Sequence, residues 1–232
     1  MKFQSPLMRG TLLSRYKRFL ADVRFDDGTE ITAHCANPGS MAGLKEPGMT
    51  VWLSESANLK RKLKYSWELV EVDGDLVGIN TSLPNKIVEE ALLARLIPEL
   101  AIYDGLRREV KYGENSRIDF LLESEDRPPV YVEVKNVHFT RHECLAEFPD
   151  SITARGAKHL NELSNMVAGG ARGVMVYLIQ RMDCDRFAIA GDIDQRYGEA
   201  FDKAFAAGVE MIAYDCDISR EGIRVRNKLD MT

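Results

Sequence analysis

The spacing of apolar residues changes near residue 82, and this change constrains the fold more than any other feature of the sequence. Before it, apolar and polar side chains alternate, as in residues 19–25 and 31–35. A period of two is typical of half-buried strands. After it, residues 85–97 repeat apolar side chains at helical spacing. We therefore expect two domains, residues 1–82 and 83–232, the first all-β and the second α/β.

The first domain carries strand signals separated by turn residues. The turns are "DDG" at 26–28, "NPGS" at 37–40 and "DGD" at 73–75, whose residue types favour tight turns. The expected strands are residues 19–25, 31–35, 50–54, 65–72 and 76–80. Five short strands in so short a domain predict a small barrel, and an OB-like barrel is the most economical choice.

The second domain mixes the two periods in a definite order. After the helix at 85–97 come three strand-like segments, a second helix within 151–170, a buried strand, a third helix and a last strand. The segments after the first helix are 106–112, 116–123, 129–137, 151–170, 172–180, 194–207 and 209–215. This order predicts a mixed sheet flanked by helices.

Composition narrows the functional classes. The start of the chain has no long apolar segment, and no run is long enough to span a bilayer. Four widely separated cysteines give neither a zinc motif nor a disulfide framework. We expect a cytoplasmic protein. The net charge is −5, yet residues 1–84 carry 11 Lys and Arg against 10 Asp and Glu, with bases clustered at 15–18 and 60–64. Local clusters of positive charge of this kind contact the phosphates of nucleic acids, even in a protein whose net charge is negative.

The stretch "YVEVKN" at 131–136 places two charges inside an apolar strand. Glu133 and Lys135 lie two residues apart, so their side chains share one face. Asp119 lies in the preceding strand, and a short connection makes the two strands antiparallel neighbours. We expect Asp119 to lie within about two residue positions of Glu133 across this hairpin. The three are the candidate catalytic residues.

Two carboxylates suit a hard divalent cation. Mg²⁺ typically takes one or two carboxylates together with water and phosphate oxygens, and a bound metal lowers the pKa of its water. The expected cofactor is Mg²⁺ or Mn²⁺, with Asp119 and Glu133 as ligands and Lys135 near the water or phosphate. The alternative is a surface ion pair on an edge strand. "REVK" at 108–111 also matches ExK, but no aspartate lies on a preceding strand.

The combination of "IDF" and "EVK" resembles the D…(D/E)xK signature of the PD-(D/E)xK nuclease superfamily. Ile118 stands where that signature has proline. The whole chain resembles the sugar fermentation stimulation protein A (SfsA) family. The stretches that carry this resemblance are "RYKRFLADV", "HCANPGSM", "VKYGENSRIDF", "YVEVKNV" and "FPDSITARGAKHL". The resemblance implies an N-terminal OB-like domain, a nuclease-like (restriction-endonuclease-like) C-terminal domain, sequence-independent binding of double-stranded DNA and a role in sugar (maltose) metabolism.

The superfamily resemblance also implies a further acidic ligand on the first helix. This residue is Glu89 or Glu90, and we favour Glu90. On the second helix, Arg155, Lys158 and His159 face roughly the same way. They either bind the scissile phosphate or form a solvated face, and the position of this helix in the superfamily favours Lys158 as a DNA contact.

The basic clusters of the first domain are the remaining candidates for DNA binding. The stretch "LKRKLK" at 59–64 lies beside Tyr65 and Trp67, and bases next to aromatic residues fit a phosphate-tracking groove. A charged solubilising loop is the alternative. Asn37 is either a DNA contact or part of a plain turn. The candidate DNA-binding residues are Arg15, Lys17, Arg18, Asn37, Lys60, Arg61, Lys62, Lys64, Arg155 and Lys158.

Two compatible functions follow from these observations. One is a DNA-binding protein that contacts the duplex backbone. The other is a Mg²⁺- or Mn²⁺-dependent endonuclease in which a metal-activated water hydrolyses the phosphodiester. An enzyme of sugar metabolism ranks last, because the sequence has no glycine-rich phosphate loop or cofactor fingerprint.

Overall fold

The N-terminal domain is a closed barrel. The computed structural model describes residues 1–58, 60–113 and 116–232, so Leu59, Glu114 and Asn115 lie outside the described residues. The strands of this domain are β1 (Met8–Tyr16), β2 (Leu20–Phe25), β3 (Glu30–Cys35), β4 (Thr50–Glu55), β5 (Tyr65–Val72) and β6 (Asp75–Gly78). The ring runs β1–β2–β3–β5–β4 and back to β1, because β3 and β5 pair in parallel. This confirms the predicted OB-like barrel.

The strand that closes the ring is not one of the five predicted. β1 pairs with both β2 and β4, whereas the predicted strand at 76–80 is β6, which only extends the sheet beside β5. β1 is hard to recognise because its apolar alternation is broken by Gly10. A Cβ at Gly10 would lie 2.4 Å from Val23 Cγ1, so a residue without a side chain is needed where β1 crosses β2.

The C-terminal domain is a nine-stranded mixed sheet with helices on both faces. Its elements are α1 (Pro84–Leu93), β7 (Gly105–Tyr112), β8 (Ser116–Ser124), β9 (Arg127–Val137), β10 (Phe139–His142), β11 (Cys144–Phe148), α2 (Ala154–Ala168), β12 (Arg172–Ile179), β13 (Cys184–Ile189), α3 (Gln195–Ala206), β14 (Glu210–Ile218) and β15 (Ile223–Met231). The strand order is β10-β11-β13-β15-β14-β12-β9-β8-β7. The predicted nuclease-like α/β core is confirmed, and β10, β11, β13 and β15 are additions to it.

The sheet separates two apolar cores. α1 packs its buried residues against one face, together with Val132 and Val134. α2 and α3 cover the other face, where Leu163 and Tyr197 pack. Two apolar residues of the predicted helical segments lie outside the helices. Leu96 follows the end of α1 and is 51% exposed, and Ile152 precedes α2 and is 79% exposed.

Direct contacts join the two domains. The Gly78 amide donates to the Gln180 carbonyl at 2.9 Å. On the other side of the junction, Asp150 Oδ2 accepts from Ser40 Oγ and from the Met41 amide, both at 3.3 Å. A Cβ at Gly39 would lie 2.4 Å from that Asp150 oxygen. The turn at 37–41 is therefore seated against the nuclease-like domain.

None of the helices within the described ranges has the length and apolar character needed to cross a membrane.

Candidate functional site

The β8–β9 hairpin brings the predicted catalytic residues together. Phe120 pairs with Val132 and Leu121 with Tyr131, so the next position in this register sets Asp119 opposite Glu133. At that point Asp119 Oδ2 accepts from the Val134 amide at 2.8 Å. β9 lies between β8 and β12, in the interior of the sheet. The alternative of a surface ion pair on an edge strand is therefore wrong.

Glu133 is the buried centre of the cluster. The residue is only 3% exposed. Its Oε1 atom accepts from Lys135 Nζ at 2.8 Å and from His159 Nδ1. Its Oε2 atom is buried and has no hydrogen-bond partner among the described residues. A buried carboxylate oxygen without a donor is costly, so it is a candidate position for a cation.

The two carboxylates have opposite pKa shifts. Burial, reinforced by the nearby Glu133 carboxylate, raises the pKa of Asp119 to about 6. Burial alone would also raise the pKa of Glu133, but the hydrogen bonds from His159 and Lys135, together with the charge of Lys135, outweigh it and hold that pKa below its ordinary value. Glu133 is thus the carboxylate fixed in its ionised form, and Asp119 is the one a bound cation would help to ionise.

His159 on α2 connects the cluster to Arg155. Arg155 Nε donates to His159 Nε2 at 3.2 Å. A guanidinium can only donate, so Nε2 accepts and the ring proton lies on Nδ1, where it donates to Glu133 Oε1. Arg155 therefore orients a histidine rather than extending freely from the helix. The chain Arg155–His159–Glu133–Lys135 fixes the Glu133 carboxylate from two sides.

The first helix supplies an amide to the cluster instead of a carboxylate. Asn85 Nδ2 donates to Asp119 Oδ1 at 2.7 Å. The favoured ligand Glu90 instead pairs with the amino group of Met1 at 2.6 Å, and its alternative Glu89 pairs with Arg108 at 3.0 Å. Neither contacts Asp119 or Glu133 within the described part of the chain. Of the acidic ligands predicted from the sequence, Asp119 and Glu133 are therefore the two that meet in the cluster.

The cluster fits a cation that retains most of its water. No group of three or more His, Cys, Asp or Glu in the described ranges is arranged to hold a metal ion. Mg²⁺ commonly takes one or two carboxylates and keeps several waters. The chemistry of two carboxylates, one with a buried unpartnered oxygen, matches that mode of binding better than a site built only of protein ligands.

Tyr112 and Glu162 border the cluster and were missed in the sequence. The Tyr112 hydroxyl and both Glu162 carboxylate oxygens are buried and have no hydrogen-bond partner among the described residues. Burial, with the charges of Glu133 and Glu162, raises the pKa of Tyr112 well above its usual range. Lys158 approaches Glu162 Oε1 at 3.5 Å. The helical spacing of Arg155, His159 and Glu162 was the signal that could have indicated Glu162.

Three of the predicted DNA-binding residues line a cleft between the domains. Arg15 Nη2 donates to the carbonyls of Asn37 and Gly39, at 2.8 and 3.1 Å. The Asn37 side chain accepts from the Gly39 amide and donates to the Ile79 carbonyl, as a turn residue does. Arg18 also lines this cleft. With Lys17 it forms the exposed β1–β2 turn, both residues having positive φ.

In the basic loop between β4 and β5, two cations contact neighbouring side chains and two extend into solvent. Arg61 contacts Ser66 Oγ and His34 Nδ1, at 2.9 and 3.2 Å, and Lys64 pairs with Glu55 at 2.8 Å. Lys60 and Lys62 are exposed and have no ion-pair partner within the described residues. Leu59, the first residue of the stretch "LKRKLK", lies outside the described residues.

These cations lie on neighbouring elements at the surface of the barrel. Arg61 contacts His34, which pairs with Leu20 at the end of the β1–β2 turn. Arg18 in that turn lines the cleft together with Asn136, which follows Lys135 in β9. We call this surface the basic face; its residues are Arg15, Lys17, Arg18, Lys60, Arg61, Lys62 and Lys64. It leads from the barrel to the edge of the Asp119–Glu133–Lys135 cluster.

Comparison with known proteins identifies the family. A model described as the sugar fermentation stimulation protein RE domain matches residues 82–222, and one described as the SfsA N-terminal OB domain matches residues 13–79. A sugar fermentation stimulation protein homolog of Paramagnetospirillum magneticum is 58% identical over 231 residues, covering 100% of this chain and 98% of the relative. The homolog of Rhodospirillum centenum is 57% identical over 232 residues and is covered in full, as is this chain.

A solved structure extends this likeness to three dimensions. The structure of Pyrococcus furiosus SfsA in complex with Ca²⁺ has a TM-score of 0.90 and 28% identity, over 100% of this chain and 98% of that chain. The barrel, the nuclease-like core and the sequence similarity along the full length all agree. This chain belongs to the SfsA family of sugar fermentation stimulation proteins.

Proposed function

We propose that this protein binds the backbone of double-stranded DNA without reading its sequence, and that it hydrolyses the phosphodiester bond with Mg²⁺ or Mn²⁺. The observation that carries the proposal is the buried, unpartnered Oε2 atom of Glu133, opposite Asp119 and beside Lys135. The role in sugar metabolism that the family name carries would then be an effect on DNA rather than an action on a sugar.

Each residue of the cluster has a distinct role in this proposal. Asp119 and Glu133 hold the cation, and Asn85 and the Val134 amide orient Asp119. The cation, when bound, supplies an ionised water and neutralises charge on the phosphate. Lys135 lies half-buried, at 14% side-chain exposure, with its ammonium on Glu133. From there it can orient the attacking water or stabilise the pentavalent phosphorane.

Two further observations support the proposal. The related Pyrococcus furiosus protein is described as a complex with Ca²⁺, and Ca²⁺ and Mg²⁺ both prefer oxygen ligands. The basic face supplies cations where a net charge of −5 would otherwise repel DNA. A surface of this kind binds phosphate through charge and release of counterions, with little dependence on base sequence.

The hydrolysis is tested by incubating purified protein with supercoiled plasmid and Mn²⁺ or Mg²⁺. We expect nicked and linear products that chelation with EDTA prevents. Lys135→Ala should lower the rate by about 100-fold or more, because a positioned charge next to the reacting phosphate is lost. Lys111→Ala is the matched control, since Lys111 belongs to the other ExK stretch, is exposed on β7, and should leave the rate unchanged.

Metal binding has a readout that does not depend on cutting. Added Mn²⁺ should raise the melting temperature of the wild-type protein, because a ligand that binds only the folded state stabilises it. Glu133→Gln should abolish this rise. Two results together would contradict the proposal: the plasmid stays intact under every metal condition, and Mn²⁺ does not change the melting temperature. The site would then neither hold a cation nor cut DNA.

Backbone binding is tested by the salt dependence of the affinity. The logarithm of the association constant should fall linearly with the logarithm of salt concentration. Lys62→Ala should reduce that slope by about one for the phosphate contact it removes, whereas Lys203→Ala, on the exposed side of α3, should not change it. A salt-insensitive affinity that changes strongly with base sequence would contradict this part of the proposal.

A further inference from the structure

The cleft between the domains is a preformed cavity that the proposed chemistry does not use. Its volume is about 890 Å³. The barrel contributes Arg18 and Pro38 to its lining, β9 contributes Asn136, and the segment before α2 contributes Ile152. The Asp150 contacts to the turn at 37–41 and the Gly78–Gln180 contact fix its two walls. The cleft therefore exists before any ligand arrives.

The charge of the cleft favours an anion. Among the described residues that line it, Arg15, Arg18 and Lys45 are set against one carboxylate, that of Asp150. Asp150 is already occupied by the Ser40 hydroxyl, the Met41 amide and His138 Nε2, the last at 3.7 Å. Burial would raise the pKa of Asp150, but His138 and these donors hold it well below its usual value. The negative charge of Asp150 is therefore balanced by groups of the cleft wall itself.

Flat and apolar surfaces lie beside these cations. Ile152 lines the cleft and is 79% exposed. Pro38 and Phe148 line the same cavity. Proteins hold unpaired nucleotides by combining two kinds of surface: cations that bind the phosphates and flat or apolar side chains that pack against the faces of the bases. Isoleucine side chains are also used as wedges that separate stacked bases.

The cleft adjoins the Asp119–Glu133–Lys135 cluster along two elements. On β9, Asn136 follows Lys135 with its side chain on the opposite face, and the strand rises about 3.3 Å per residue, so the backbone of residues 136–138 lies within about 10 Å of Lys135 along the strand. On the other wall, Ile152 lies three residues before Arg155, which contacts His159. A strand whose phosphate lay at the cluster would have its neighbouring nucleotides at the mouth of the cleft.

We propose that the cleft holds unpaired nucleotides next to the scissile phosphate, so that the preferred DNA is a duplex continued by a single strand. The inference rests on the proposed DNA binding and specifies its substrate class. A cavity of about 890 Å³ has the size of a small-ligand pocket; it admits one or two nucleotides and excludes a duplex. The cluster then cuts near the junction of duplex and single strand.

Equilibrium binding tests the inference without requiring cleavage. Fluorescence anisotropy in Ca²⁺ would compare a blunt duplex with the same duplex carrying a single-stranded tail. We expect the wild-type protein to bind the tailed DNA about tenfold more tightly, the gain from one stacked base. Ile152→Ala should remove most of this preference, and Ile152→Tyr should increase it. Leu93→Ala, another exposed aliphatic change, should leave it unaltered.

The outcomes separate this inference from the proposed function. Equal affinity for the two DNAs, or a preference that survives Ile152→Ala unchanged, would overturn the role of the cleft, even if plasmid is cut. A preference for tailed DNA that depends on Ile152 would support the cleft, even if Mn²⁺ gives no cutting. In that case the hydrolysis fails and the binding site stands.

Discussion

At the scale of single residues, Asp119 gives the site a measurable cost in stability. Its pKa is about 6 in the folded chain, against 3.8 ordinarily, chiefly because it is buried and then because Glu133 lies nearby. The folded state therefore holds this proton over a pH range in which the unfolded chain has lost it. The contribution of Asp119 to the free energy of unfolding therefore falls as the pH rises from about 4 to 6. Above that range the loss amounts to about 3 kcal/mol.

Asp119→Asn should remove this loss. The amide oxygen can still accept from Val134, and the variant carries no charge beside Glu133. We expect the free energy of unfolding of the variant, relative to wild type, to increase by about 1–3 kcal/mol between pH 4.5 and pH 7.5. Urea unfolding in EDTA at the two pH values measures it. A difference between the proteins that does not change with pH would refute the raised pKa.

A divalent cation provides the matched control for that experiment. Mn²⁺ at neutral pH should stabilise the wild-type protein and leave Asp119→Asn nearly unaffected, because the cation replaces the proton on the buried carboxylate. The stability gained by the variant in EDTA should then disappear. Equal stabilisation of both proteins by Mn²⁺ would place the cation elsewhere.

At the scale of elements, one carboxylate sets the starts of two helices. Asp194 caps α3 by accepting from the Tyr197 amide at 3.1 Å, and its other oxygen accepts from the Thr153 amide, just before α2, at 2.7 Å. Asp194→Ala leaves both amides without these acceptors, and we expect a loss of about 1–3 kcal/mol in the free energy of unfolding. Urea unfolding of Asp202→Ala, an exposed change on α3, should show little loss. Equal losses would mean that the shared cap is unimportant.

The sequence predicts those elements whose signals are local. β8 and β9 are adjacent in the chain, so the meeting of Asp119, Glu133 and Lys135 follows from alternation and a short turn. His159 contacts Glu133 only because α2 packs on β9. Glu90 forms an ion pair with the amino group of Met1 instead of joining the cluster. Neither contact has a signal near it in the sequence. Pattern and resemblance indicated the acids and the lysine, and tertiary packing determined their partners.

At the scale of the whole molecule, the barrel and the nuclease-like domain act together only if the turn at 37–41 stays seated on Asp150. Long-range pairings build this arrangement: β1 closes the barrel with β4, and Gly78 contacts Gln180. The composition of the turn predicted a turn but not its contact with another domain. The cleft, which lies under this turn, was for the same reason invisible in the sequence.

Gly39→Ala should uncouple the two domains. Its backbone does not have the positive φ that would strain alanine, so the obstacle is the Asp150 carboxylate: Oδ1 would lie 2.9 Å from the new Cβ and Oδ2, the closer oxygen, 2.4 Å. That oxygen cannot withdraw without losing the Ser40 and Met41 donors. We expect a loss of about 1–3 kcal/mol. Both tryptophans lie in barrel strands: Trp67 is buried in the barrel core, and Trp52 packs with the apolar core on the α1 side of the larger sheet. Tryptophan fluorescence therefore follows the barrel and its packing on the other domain, whereas far-ultraviolet circular dichroism follows the helices of the other domain.

Coupled domains unfold in one transition, so the two signals should coincide in the wild-type protein. In Gly39→Ala the fluorescence transition should move to lower urea than the dichroism transition, because the barrel has lost one of its contacts with the larger domain. Gly169→Ala is the control: its φ is −82°, and the new Cβ would meet its neighbours at 3.4 and 3.5 Å, an ordinary contact. Coincident, unshifted transitions in Gly39→Ala would mean that the domains are held together by the Gly78–Gln180 contact and by the packing of Trp52 and Leu69 on the α1 side of the larger sheet, and the cleft would keep its shape without the turn.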